Sequence, residues 1–198
     1  MKKIVLILFL LGSHLVFAQK NIHFGIKGGL NRSQVIGDGN HGYYKTGING
    51  GVFSNLLLNK QWKLQFEILF NDKGSHYNYK DAKNSNLLNL YHIRLYYIEA
   101  PILLQYNRKN FFYEFGLGLG YLIDKGEYLD NQSFHNNVYP FNLTEQSFNI
   151  GFGYFFNKKV GVNFRYNNSI SPIRKVPSTQ FNSVFMLALI CKIDFTKQ

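Results

Sequence analysis

From Ile93 to Leu122 the chain reads as two long segments, IRLYYIEAPILLQY and FFYEFGLGLGYL, joined by the polar turn Asn107 to Asn110. In the first, Tyr96, Ile98, Ala100, Ile102, Leu104 and Tyr106 alternate with Tyr97, Glu99, Pro101, Leu103 and Gln105. In the second, Phe111, Tyr113, Phe115, Leu117, Leu119 and Tyr121 alternate with Phe112, Glu114, Gly116, Gly118, Gly120 and Leu122. A period of two held over this distance specifies strands rather than a helix, and the short turn makes them an antiparallel hairpin. One face is wholly apolar, while the other carries charge, amide and glycine. The pattern predicts that the polar face looks inward, because lipid rewards an apolar exterior while an enclosed lumen tolerates charge. The expected fold is therefore all-β, an antiparallel up-and-down transmembrane β-barrel.

Six further segments complete it. Ile22 to Asn31 alternates Ile22, Phe24, Ile26 and Leu30 with His23, Lys27 and Asn31, and Thr46 to Leu58 gives a second strand whose register Gly50-Gly51 and Leu56-Leu57-Leu58 blur. Trp62, Leu64, Phe66, Ile68 and Phe70 alternate with Lys63, Gln65, Glu67 and Asn71 in the third. After the hairpin come Phe148 to Tyr154, Val160 to Asn167 and Gln180 to Phe195, the last apolar on both faces from Val184 to Ile190. The total is eight strands. Their connections alternate long and short: Arg32 to Lys45, Lys73 to His92, Asp124 to Glu145 and Ser171 to Thr179 are long, and the turns at Asn59-Lys60, Asn107 to Asn110 and Asn157 to Lys159 are tight. Long loops at one end and tight turns at the other are what a barrel crossing an outer membrane shows.

Charge placement agrees. Lys27, Lys63, Glu67, Glu99, Glu114, Arg165, Lys192 and Asp194 all fall on the polar face. A Lys or Arg facing lipid at mid-depth would cost roughly 2–4 kcal/mol. Aromatic residues cluster in two rings, Trp62, Tyr106, Phe111 and Tyr154 beside the tight turns and Phe70, Tyr96, Tyr121 and Tyr166 at the other rim. They match the girdles of transmembrane barrels.

The one continuous apolar run, Ile4 to Phe17, follows Lys2-Lys3 and precedes Val16-Phe17-Ala18. It has the n-region, h-region and small-residue cut of a signal peptide, and it falls short of the roughly 20 residues that a helical span requires. The expected organisation is a cleaved leader over residues 1–18, for Sec export, and a barrel domain over residues 19–198. Without Lys2 and Lys3 the chain keeps 20 basic and 11 acidic residues, a formal charge of +9. The excess suits phosphate-rich surfaces. No nucleic-acid motif accompanies it, and a leader argues against such a partner, so outer-membrane lipid and lipopolysaccharide are the expected partners. The single cysteine, Cys191, excludes an internal disulfide.

With these segments laid out, the chain resembles the PorT-type, porin-family outer-membrane β-barrel proteins of Bacteroidota. FGIKGGLN, LQFEILFNDKG, YYIEAPILLQY, FYEFGLGLGYL and GFGYFFNKKVGVNFRY carry the resemblance across nearly the whole mature chain, and YIEAP is its most specific piece. The resemblance implies an eight-stranded barrel of the cell outer membrane. It implies no single activity, since the family takes its name from a member linked to type IX secretion.

Proline cannot donate to a ladder, so Pro101 predicts a bulge or a missing hydrogen bond in the fourth strand. Lys27, Glu67, Glu99 and Arg165 stand at similar distances from the tight-turn end of their strands, and with Glu114 they form the expected lumen charge cluster. Eight strands leave an interior just wide enough for side chains, so the cluster is expected to be a salt-bridged plug; catalysis by its carboxylates would need substrate access that a packed lumen denies. Gly116, Gly118 and Gly120 repeat every second residue with no helix after them, which suits space for large lumen neighbours rather than a nucleotide loop. His41, His76, His92 and His135 fall in expected loops without metal-motif spacing, and Ser75-His76 has no recognisable catalytic context.

The expected role is non-enzymatic: structural, adhesive or accessory to secretion through the long loops. No cofactor or metal is expected, the chain is expected to be monomeric, and envelope or secretion-machinery proteins are candidate partners. The competing reading is an outer-membrane enzyme acting on lipid A or phospholipid. A soluble lipocalin-type barrel would require charges outside and an apolar lumen, the reverse of this pattern.

Overall fold

The computed structural model describes residues 22–39, 41–80, 88–129, 132–133, 140–176 and 178–193. The strands are β1 (Ile22–Ile36), β2 (Lys45–Leu57), β3 (Trp62–Lys80), β4 (Leu88–Arg108), β5 (Phe111–Leu129), the two-residue β6 (Gln132–Ser133), β7 (Thr144–Phe155), β8 (Val160–Ser169) and β9 (Phe181–Ile193). Every long strand is antiparallel to both neighbours, and β1 pairs with β9 from Phe24↔Ile193 to Ile36↔Phe181, so the eight long strands close into a ring. Closure removes the edges that an open sheet would expose. β6 pairs only with the upper end of β5.

The wall has the predicted polarity. Ile26, Ile48, Ile68, Ile102, Leu117, Leu119, Ile150, Phe152 and Leu189 are exposed on the outside, while Lys27, Glu67, Glu99, Glu114, Asn163 and Arg165 are buried. Leu117 and Leu119 are each 64% exposed, whereas Glu114, three residues earlier than Leu117, is 2% exposed. Such a surface dissolves in acyl chains, not in water. On β9, Leu187 and Leu189 face out, and Val184, Met186, Ala188 and Ile190 line the lumen. The aromatic rings pair across strands at both rims: Trp62 with Tyr106 at 5.0 Å and Phe111 with Tyr154 at 4.9 Å near the tight turns, Phe70 with Tyr96 at 5.6 Å at the other end.

Three features bear on the sequence reading. Strands run past the loop boundaries: β1 continues to Ile36, and β3, β4 and β5 take up much of the segments expected as loops at Lys73 to His92 and Asp124 to Glu145. These three strands have 19, 21 and 19 residues, against 12, 10 and 13 for β7, β8 and β9. They rise as a blade from one side of the rim, β4 reaching eight residues past Tyr96, about 25 Å along the strand. Above the lipid both faces of a strand meet water, so alternation is no longer imposed there. Gly74, on β3 where the blade begins, takes φ +139°.

The second concerns Pro101, where a bulge or a missing hydrogen bond is expected. The β3–β4 ladder runs from Trp62↔Tyr106 to Phe66↔Ile102 and resumes at Leu69↔Glu99, leaving the positions opposite Pro101 and Ala100 unpaired on that side. The expected defect is a two-residue gap. A separate bulge sits between Tyr96 and Tyr97, where β5 gains Ile123. The third, the place of Glu99, belongs to the lumen. The leader over residues 1–18, His135, Pro177, Asp194 and Phe195 lie outside the described residues.

Candidate functional site

The lumen is filled in layers, each set by the inward register of its strands. Nearest the tight turns, Phe53, Phe112 and Ile190 form an apolar floor with Phe155 packed against it. Small residues make room for these rings. A Cβ on Gly153 would lie 2.1 Å from Cζ of Phe112, and one on Gly25 would lie 2.2 Å from Cζ of Phe53.

Above the floor sits the first ionic layer. Arg165 on β8 reaches across to Glu67 on β3, donating from Nη1 to Oε2 at 2.7 Å and from Nη2 to Oε1 at 2.8 Å, while its Nε donates to Oε1 of Glu114 at 2.7 Å. Lys27 lies 3.4 Å from the same Glu67 and donates to Asn163 at 2.9 Å. Asn163 and Gln105 each donate to Glu114 at 2.9 Å, and Gln65 donates to Glu67. Two cations therefore face two carboxylates, and the layer is formally neutral. Desolvating four charges is expensive, and mutual pairing with amides on the remaining lone pairs is what makes the burial tolerable.

Glu99 is not part of that layer. Across β3–β4, Glu67 stands level with Pro101, and Glu99 lies two residues further from the turn, opposite Leu69. At that height its neighbours are Lys73, which it pairs with, and Asn71, which donates to it at 3.0 Å. Lys73 also donates to Glu145 at 2.8 Å and to Asn167 at 3.0 Å, and Asn182 donates to the other Glu145 oxygen at 2.7 Å. One ammonium is shared by two carboxylates here, and amide donors meet the remaining oxygens. Counting residues from the turns placed Glu99 with Glu67 because it ignored this two-residue stagger. Lys73 and Glu145 were missed because they were expected in loops. The signal that could have found them is parity: Lys73 continues the inward odd positions of β3, and Glu145 continues those of β7.

A second apolar layer closes the outer mouth. Val35, Ile93, Leu95, Tyr97 and Leu122 from the wall meet Phe141 and Ile173 from two connections that fold inward. Asn142 N donates to the Ile173 carbonyl at 2.7 Å, tying those connections together. Arg174 lies 3.7 Å over the Phe141 ring and makes a two-pronged bond to Glu127 of β5 at 3.1 and 2.8 Å. Phe112 and Phe141 thus bracket two ionic layers.

The other sequence candidates fall outside this network. Ser75 is buried and His76 stands on the opposite face of β3, so adjacent positions separate them as alternation in a strand requires. His76 and His92 pack edge to face at 5.0 Å on the blade, and His41 is exposed in the β1–β2 connection. Among the described residues no three metal-ligating side chains converge. Gly118 and Gly120 do adjoin lumen side chains, Ser147 and Tyr97 respectively, whereas Gly116 faces the backbone of Ile102 and Leu103.

The comparisons with known proteins agree with this architecture. No curated protein matches the chain in sequence. In structure it is similar to Neisserial surface protein A, with a TM-score of 0.54 and 13% identity over 86% of this chain and 97% of that one. It is also similar to Ail, the attachment invasion locus protein of Yersinia pestis, with a TM-score of 0.52 and 13% identity over 87% and 99%. A structure of Ail in complex with the heparin analogue sucrose octasulfate matches at a TM-score of 0.50 and 12% identity over the same shares. Identities this low establish the fold alone. Residues 17–175 match the signature of the outer membrane protein beta-barrel domain. The chain belongs to that family and is an integral eight-stranded β-barrel of the cell outer membrane.

Proposed function

We propose that this barrel is a non-enzymatic surface protein that attaches the cell to anionic glycans through its blade and outer connections. The filled lumen carries the reading. With Phe112 and Ile190 at one end, two ionic layers in the middle and Phe141 and Ile173 at the other, the described side chains pack the lumen at each level. The outward parts remain as the working surface. Exposed Arg32, Lys125 and Lys175 offer cations to sulfate or phosphate groups, lipopolysaccharide phosphates among them. Ail, similar in fold, has been captured with a sulfated sugar, which makes a sulfated glycan the first ligand to try.

The test compares cells with and without the protein for adhesion to immobilised heparin, and adds a variant in which residues 76–91 are replaced by a short turn. Loss of adhesion in both the deletion and the shortened variant is expected. Undiminished adhesion of the deletion strain would overturn the proposal. A lipid A or phospholipid profile altered by the deletion would favour the enzymatic alternative instead.

Three narrower assignments belong to the same reading. The segments around YIEAP support membership of the PorT-type branch of Bacteroidota, and with it a role beside envelope or secretion-machinery proteins. The basic-apolar leader supports Sec export with cleavage near Ala18, which mass spectrometry of the mature N-terminus would read. A closed wall supports a monomer in the bilayer, open to a check by cross-linking.

A further inference from the structure

The blade sets two histidines side by side. Ile93 and Leu95 of β4 pack into the apolar cap of the lumen, so the even positions between and beside them face the other way. His76 of β3 and His92 of β4 are direct ladder partners on that outer face. Their rings meet edge to face with centroids 5.0 Å apart. On its other side His92 is backed by Tyr128 of β5, its partner in the next ladder, at 5.9 Å. The Tyr128 ring and hydroxyl lie over Gly126, 2.7 and 2.8 Å from where a Cβ would stand, so the hydroxyl runs along β5 rather than across to the histidines.

Packing alone does not account for the pair. Nε2 of His92 is buried and, among the described residues, has no hydrogen-bond partner. A buried nitrogen left unpaired costs stability, a penalty that a phenylalanine ring in the same place would not incur. With the proton on Nδ1, Nε2 offers a lone pair, and an ion bound there removes the penalty. The spacing fits such an ion. Held about 2.0–2.1 Å from one nitrogen of each ring, it sets the ring centres roughly 5 Å apart. The last torsion of a histidine side chain is soft, so a turn of the half-buried His76 ring aims its nitrogen at the same point.

We propose that His76 and His92 form a two-imidazole site for a copper(II) ion on the outer face of the blade. The long-loop end of an outer-membrane barrel faces the outside of the cell, so the site meets metal from the surrounding medium. Imidazole nitrogen binds copper(II) more strongly than the other first-row divalent ions. Calcium and magnesium call for several oxygen ligands. Asp72, four residues before His76 on the same face of β3, is held by Lys45 at 2.6 Å. Arg94, two residues after His92 on the same face of β4, adds a positive charge that weakens any cation held by charge alone. The surroundings therefore favour an ion that forms strong bonds to nitrogen. This site goes beyond glycan attachment and does not depend on it, since metal binding is read with no glycan present.

The experiment titrates copper(II) into the full chain, without an affinity tag, in uncharged lipid nanodiscs. Electron paramagnetic resonance follows binding, and its nitrogen couplings count the coordinated imidazoles. One ion per chain with two imidazole nitrogens is expected. H76Q and H92Q should each abolish the two-nitrogen signal and weaken binding by about tenfold or more, since even a hydrogen bond supporting a metal-bound histidine is worth about that much. His76 is half-buried, so H76Q separates loss of a ligand from loss of the fold, and unchanged heat-modifiability on gels verifies folding. H41Q, in the exposed β1–β2 connection, should leave the two-nitrogen signal in place. The assignment fails if the folded H76Q and H92Q variants bind copper(II) as the parent does. It also fails if the parent spectrum shows fewer than two imidazole nitrogens, or if H41Q removes the signal.

Discussion

Arg165 and Glu67 join opposite sides of the barrel. In the closed ring β8 lies four strands from β3 in either direction, and the guanidinium of Arg165 meets the Glu67 carboxylate with two parallel bonds of 2.7 and 2.8 Å across that full width. Its third bonded nitrogen takes Glu114 of β5. A single planar cation therefore sets the distance between three walls, which a lysine, a point charge without a fork, could not do.

Replacing Arg165 by Met should lower unfolding stability by about 3–5 kcal/mol, because Glu67 and Glu114 would stay buried with only Lys27 to balance them. Urea titration of the detergent- or bilayer-folded barrel reads this as a lower midpoint. The double variant R165M/E114Q, which leaves Lys27 facing Glu67 in a neutral layer, should recover most of the loss, since the unpaired charge is the main penalty. If the double variant is as unstable as R165M, the cost lies in packing and the ionic account is wrong.

The outer wall yields a depth-dependent prediction. Leu117 sits midway between girdle residues Phe111 and Tyr121 and is 64% exposed. Leu117→Arg should cost roughly 2–4 kcal/mol and Tyr121→Arg, at the rim, about 0–1 kcal/mol. Equal effects at the two positions in the same titration would mean that this face does not sit in hydrocarbon.

Where the bilayer imposes alternation, the sequence was readable residue by residue: Ile98, Ile102, Leu117 and Leu119 face out, and Glu99 and Glu114 face in. Above the rim the constraint lapses, and β3, β4 and β5 run on through Asn- and Lys-rich stretches that look like loop. Lys73 on β3 and Glu145 at the start of β7 were missed because both fall in stretches that read as loop. Relative height was equally hidden, because it depends on the stagger between paired strands, which no single strand records; Glu99 came out one layer too low for that reason. The inward fold of Phe141 and Ile173 left no periodic trace at all, since neither belongs to a strand.

A lumen packed at four levels should not conduct. Purified protein in a planar bilayer is expected to show no channel events, and F141A/I173A, which removes the outer cap, should remain silent because Lys73, Glu145, Arg165 and Glu67 still fill the section below. Ohmic openings in the parent chain would mean that these layers part in the membrane.

The floor offers the sharpest test of packing. Gly153 faces Phe112 so closely that an added Cβ would lie 2.1 and 2.3 Å from two ring carbons and 2.5 Å from the Val162 carbonyl oxygen. Phe112 cannot simply swing aside, being 1% exposed and packed 5.4 Å from Phe155. Gly153→Ala should therefore destabilise the barrel by about 1–3 kcal/mol through overpacking. Phe112→Leu added to it should return part of that loss by vacating the ring's far edge, although Phe112→Leu alone is destabilising through the cavity it leaves. The two substitutions are thus non-additive by construction, and a double-mutant cycle reads the coupling directly. Simple additivity would show that the ring does not rest on the glycine.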